Sequence, residues 1–235
     1  MSRNGNLRKM LFSTLSVTSV FIALNLVRWF IMELGAYLSK FDGYVIWSMS
    51  HIKATSDHWS WIQVMWLYFA PYIALLFLFA IIKWMRKHPS SIPPWLQLIQ
   101  SWTFLILIVY VFFMPLVDVL TKKEIYHALN WFGIERIWQI IFGILMFLFF
   151  IYKAFNTSSL FSTLLNVTGD KLITPKQVLV QLPFIWYIPI TLLTAVVYLS
   201  SNYTIPTNFV YFLSGMAFVV ICNIWLISRY DVVVS

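Results

Sequence analysis

The chain has 235 residues, of which 61% are hydrophobic and 10% charged, and its mean hydropathy is +0.82. A soluble domain of this size would need roughly 25% charged residues to cover its surface, so the composition excludes one and implies an integral membrane protein. The net charge of +8 does not point to nucleic acid, because the 16 Lys and Arg stand at the ends of apolar segments rather than on one face.

Six segments are apolar and long enough to cross about 30 Å of hydrocarbon at roughly 1.5 Å per residue: 10–38, 61–83, 95–120, 134–155, 178–200 and 208–227. The expected fold is therefore an all-α polytopic membrane protein, a single membrane domain over 1–235. Arg3, Arg8 and Lys9 precede the first segment as they would in a signal peptide. No small-x-small cleavage site follows, so it reads as a retained first helix. Between the first two spans, Asp42-Gly43 signals a turn, and Trp47 and Met49 alternate with Ser48 and Ser50. That pattern predicts a short extended or hairpin β element in the first outer loop. Pro71, Pro115, Pro183 and Pro189 interrupt apolar helices, each removing a backbone donor and favouring a kink. After the fourth span, Thr157, Ser158 and Ser159 are candidate caps. Leu160, Phe161, Leu164 and Leu165 then follow at helical spacing and predict a short interfacial helix within 157–177. The single cysteine, Cys222, lies in the sixth span and excludes an intrachain disulfide.

An even number of spans puts both termini on one side. Alternation assigns Arg3, Arg8, Lys9, Lys83, Arg86, Lys87, Lys153, Lys171, Lys176 and Arg229 to that side, and Lys40, Lys53, Lys122, Lys123 and Arg136 to the other. By the positive-inside rule both termini are expected in the cytoplasm.

Ionisable groups inside a span are costly and therefore informative, which singles out Arg28, Glu33 and Asp118. Arg28 and Glu33 are five residues apart and point away from one another on a helix. Snorkelling into the headgroups is the bland reading of both, and for Asp118 it is a helix-end carboxylate meeting Lys122 or Lys123. The first and third spans run in the same direction, so Glu33 and Asp118 fall at the same depth and could line one site beside Pro71, with Arg28 as counter-charge. The seven residues between His51 and His58, and the longer distance to His127, match no compact ligand motif, so these read as loop histidines. The polar residues Asn25, Gln63, Gln97, Gln100, Gln139, Gln181 and Asn223 read as interhelical hydrogen-bond partners.

Met32-Glu33-Leu34-Gly35-Ala36 resembles the His-Glu-Leu-Gly-His helix of the site-2 protease (M50-like) intramembrane zinc metallopeptidases, with both histidines replaced. Ala70-Pro71-Tyr72-Ile73-Ala74 is similar to that family's Gly-Pro-x-x-Asn segment, with Ala for the Gly. Pro115-Leu116-Val117-Asp118 is similar to its Pro-x-x-Asp-Gly, with Val119 in place of the Gly. The matches occur in the family's order and cover about 25–119. The resemblance implies that Met32, Ala36 and Asp118 occupy the metal-ligand positions and Glu33 that of the general base. A thioether and a methyl group cannot replace two imidazoles, so no metal or other cofactor is expected and no catalytic residue is assigned. The protein then reads as a non-catalytic relative, a pseudoprotease that binds a membrane-embedded segment or another transmembrane protein in a cavity formed by Arg28, Glu33, Pro71 and Asp118. Beyond the lipid bilayer and such a protein, no nucleic acid is expected as a partner. The alternatives are a small transporter or channel using Arg28, Glu33 and Asp118, or an accessory subunit of a membrane complex.

Overall fold

The computed structural model describes residues 3–40, 44–46, 51–53, 60–87, 93–157, 181, 183–202 and 205–230. Helix α1 (Arg3–Leu38) is followed by an antiparallel pair, β1 (Tyr44–Ile46) and β2 (His51–Lys53), in the register Tyr44 to Lys53 and Ile46 to His51. Helix α2 (61–87) and helix α3 (94–121) come next, then a short helix α4 (Glu124–Trp131), α5 (Arg136–Phe155), α6 (Pro183–Ser200) and α7 (Thr207–Tyr230). Six of these helices are long and apolar enough to cross a membrane: Leu7–Leu38, Trp61–Arg86, Trp95–Thr121, Arg136–Phe155, Pro183–Ser200 and Thr207–Leu226. The chain is an all-α polytopic membrane protein with six such helices, and the expected short β element sits between the first two. The interfacial helix expected within 157–177 lies, beyond Thr157, outside the described residues.

Helix α4 has no counterpart among the expected elements. Its apolar Ile125, Ala128 and Leu129 recur at helical spacing and are buried, so a single amphipathic stripe packs the segment against its neighbours.

Three of the four prolines resolve in one way. A five-residue π turn, Met65–Phe69, Val109–Phe113 or Pro183–Tyr187, ends two residues before Pro71, Pro115 and Pro189 respectively. In the first two, the residue preceding the proline donates its N–H five residues back, Ala70 to Met65 and Met114 to Val109. Proline has no N–H, and its ring crowds the carbonyl four residues earlier; an i→i−5 turn widens the helix where that crowding would fall. The carbonyl deprived of its helical donor needs another, since hydrocarbon supplies no water. Val111, four residues before Pro115, accepts a hydrogen bond from the Tyr72 hydroxyl at 2.9 Å. Ile185, four before Pro189, accepts one from Ser13 Oγ at 2.7 Å.

The chain divides into two compact units, one of Met1–Phe21, Ile82–Ile106 and Tyr152–Ser235, the other of Ile22–Ile81 and Leu107–Ile151. In the first, the Phe21 ring packs on Phe209 and Phe212 at 5.5 and 5.3 Å, and Trp102 stacks on Trp186 at 4.9 Å. Buried polar groups cross-link its helices. Lys9 Nζ donates to Gln181 at 3.0 Å, and Asn223 Nδ2 donates to the Thr157 hydroxyl and the Ala154 carbonyl at 2.8 and 3.2 Å. In the second unit, Val119, Ile125 and Leu129 form a core against Phe69, Tyr72, Ile134 and Phe142. Two glycines permit close helix approach there. A Cβ on Gly35 would stand 2.5 Å from Trp66 Cβ, and one on Gly143 would stand 3.2 Å from Leu116 Cα.

Candidate functional site

The second unit gathers the charges of the chain's central spans. Arg28 and Asn25 lie three residues apart on one face of α1, and both meet Tyr110 in the π turn of α3. Asn25 Nδ2 donates to the Tyr110 hydroxyl at 3.1 Å, and the Arg28 guanidinium carbon lies 5.5 Å from the Tyr110 ring centroid. From that position Arg28 donates to Glu124 Oε2 at 2.9 Å, forming an ion pair whose side chains are 16% and 21% exposed. Burial at this level makes removal of one partner costlier than at a surface salt bridge, because the remaining charge is left partly desolvated and unpaired.

The local chain explains how Glu124 reaches the site. Helix α3 ends on Lys122, whose left-handed backbone (φ 55) reverses the direction and lets the N–H groups of Lys122 and Lys123 bond the Asp118 carbonyl. Helix α4 then begins at once, with Glu124 in its first turn, where the positive end of the helix dipole favours an acid. The residue before α4, Lys123, supplies no side-chain cap. The Asp118 carboxylate does so instead, accepting the backbone N–H of Ile125, one of the donors that the start of a helix leaves unbonded. Asp118 is buried, and the charges of Glu124, Arg28 and Lys123 act on it. Tyr68, in the π turn of α2, lies within electrostatic reach of Glu124. The result is two carboxylates and a guanidinium at the junction of α1, α3 and α4.

The sequence-derived site residues therefore separate into two groups. Arg28 and Asp118 come together, joined through Glu124, which sequence reasoning did not single out. The available signal was an acid opening a segment with Ile125, Ala128 and Leu129 at helical spacing. Glu33 is exposed, on a different face of α1 from Met32 and Ala36, which are 0% and 9% exposed. Its neighbours on the exposed surface include Phe30 at 60% and Tyr37 at 82%. Pro71 is buried and follows the π turn that carries Tyr68.

No cation site follows from these donors. Met32 and Ala36 offer a thioether and a methyl group, and neither completes a zinc set with one carboxylate already bonded to a backbone amide. Among the described residues, no three His, Cys, Asp or Glu side chains converge as metal ligands do. His127 lies on α4 with its ring 5.3 Å from that of Tyr126, His51 is in β2, and His58 and His88 lie outside the described residues. No family model matches the chain, and no curated protein or solved structure matches it.

Proposed function

We propose that the protein is a non-catalytic integral membrane protein, similar to the site-2 proteases in the order of its motifs, that holds a membrane-embedded segment of another protein against α1. One observation carries the reading: Met32 and Ala36 are committed to packing, whereas Glu33 between them is presented outward. A carboxylate five residues before the end of α1 faces the negative pole of the helix, and inside a span it is expensive unless paired. A transmembrane segment bearing Lys or Arg at that depth supplies the counter-charge that Glu33 lacks among the described residues, and Phe30, Leu34 and Tyr37 supply an apolar surface around it.

The test uses the full chain in nanodiscs, with a photo-crosslinking residue replacing Tyr37. The probes are two synthetic polyleucine transmembrane peptides, one carrying a single Lys at the depth of Glu33 and one without it. The Lys peptide should crosslink at least tenfold better, and Glu33→Gln should erase the difference. Equal crosslinking of the two peptides would refute the reading, as would stoichiometric zinc with Glu33-dependent cleavage of a transmembrane peptide.

A second reading, a transport path, is favoured by the convergence of Arg28, Asp118 and Glu124. It requires that Asp118→Asn and Glu124→Gln abolish solute or ion flux in proteoliposomes while Glu33→Gln leaves it intact.

A further inference from the structure

The chain's excess charge belongs to one unit. Met1–Phe21, Ile82–Ile106 and Tyr152–Ser235 hold ten Lys and Arg against two acids, Asp170 and Asp231, both outside the described residues. The other unit holds six of each sign. Within the cationic unit, Lys83 and Arg86 stand three residues apart near the end of α2, so they share a helix face at the pole that favours cations. The Arg86 guanidinium carbon lies 4.7 Å from the Phe104 ring centroid. Stacking holds the planar group in place and leaves its N–H edge for a bidentate acceptor. Lys153, in the last turn of α5, is close enough to Lys83 for the two ammonium charges to repel.

We propose that Lys83, Arg86 and Lys153 form a binding site for the phosphate of an anionic lipid headgroup. Lys83 and Lys153, from two helix ends and in electrostatic reach of one another, are stabilised when an anion sits between them, and Arg86 shares the helix face of Lys83. A phosphodiester matches both the guanidinium fork and the two ammonium groups. The surroundings favour a lipid over free phosphate. Trp84 and Tyr152, adjacent to these cations in sequence, are 64% and 60% exposed, and such rings settle at headgroup depth.

The experiment places the purified full chain in nanodiscs of phosphatidylcholine containing a small fraction of phosphatidylglycerol and counts retained lipids by native mass spectrometry. Both faces of a nanodisc are accessible, so insertion orientation does not affect the result. Phosphatidylglycerol should be retained about tenfold over its share of the mixture. Lys83→Gln/Lys153→Gln and Arg86→Gln should each reduce that enrichment at least threefold, and the control Lys40→Gln/Lys122→Gln should preserve it. Lys83→Arg/Lys153→Arg keeps the charges and should retain the enrichment, so the proposal stays testable even if the neutral variants fold poorly. Millimolar inorganic phosphate should displace little of the lipid; full displacement would reassign the site to free phosphate and refute the lipid. Equal retention of the two lipids, or equal loss in the control, would also overturn the proposal.

Discussion

At the scale of single residues, the decisive contact is the ion pair from Arg28 to Glu124. Ninety-six residues separate them, yet one donor and one acceptor at 2.9 Å tie the first transmembrane helix to the short helix after the third. Removing one partner strands the other charge beside buried Asp118. Arg28→Met is therefore expected to destabilise by on the order of 3 kcal/mol. The double variant Arg28→Met/Glu124→Gln should recover part of that loss, because it removes both charges together. Equilibrium unfolding in detergent measures both, and strict additivity of the two single changes would show that the pair does not couple. The sequence marks Arg28 and Asp118 because an ionisable residue in an apolar run stands out locally. It does not mark Glu124, because nothing local distinguishes an acid in a polar connection from one that reaches back to a span. Glu33 is the opposite case: position along its span assigns it the same expected depth as Asp118, but depth fixes only one coordinate, and the helix face, on which Glu33 is exposed, decides the rest.

At the scale of elements, six apolar runs suffice to read the spans and their order, and Asp42-Gly43 suffices for the hairpin that follows α1. The prolines are legible as interruptions but not as π turns, since the outcome depends on a donor from another helix. Tyr72 serves Pro115 and Ser13 serves Pro189, and neither pairing has a sequence signature. Tyr72→Phe removes the donor to Val111 and should cost about 1 kcal/mol in thermal unfolding. In a Pro115→Ala background the residue at 115 can supply its own N–H, and the same Tyr72→Phe change should then cost less than half as much. An undiminished cost would mean that the hydroxyl serves some purpose other than the proline-freed carbonyl. Gly35 is a second element-scale constraint. Its Cα faces Trp66 so closely that Gly35→Ala is expected to destabilise by roughly 1–3 kcal/mol. The clash falls on the Trp66 Cβ, which alanine also has, so Trp66→Ala should not relieve it. Rescue by Trp66→Ala would instead place the crowding at the indole ring.

At the scale of the whole chain, the Lys and Arg at the span ends are shared unequally between the two sides that alternation defines. Alternation of six spans assigns ten Lys and Arg to the side of the termini and five, Lys40, Lys53, Lys122, Lys123 and Arg136, to the other. Since the positive-inside rule depends on cations near span ends, this partition predicts that Asn4 and Lys87 face the cytoplasm while Lys40 and Lys122 face away from it. The single cysteine makes the test direct, because Cys222 is buried and Cys222→Ala supplies a thiol-free background. In that background, Lys40→Cys and Lys122→Cys should react with a membrane-impermeant maleimide on intact cells, whereas Asn4→Cys and Lys87→Cys should react only after permeabilisation. The reverse pattern would mean that the ten-cation set is held outside against the rule. The Lys83, Arg86 and Lys153 cluster would then meet the outer leaflet, and its lipid partner would have to be an anionic species of that leaflet.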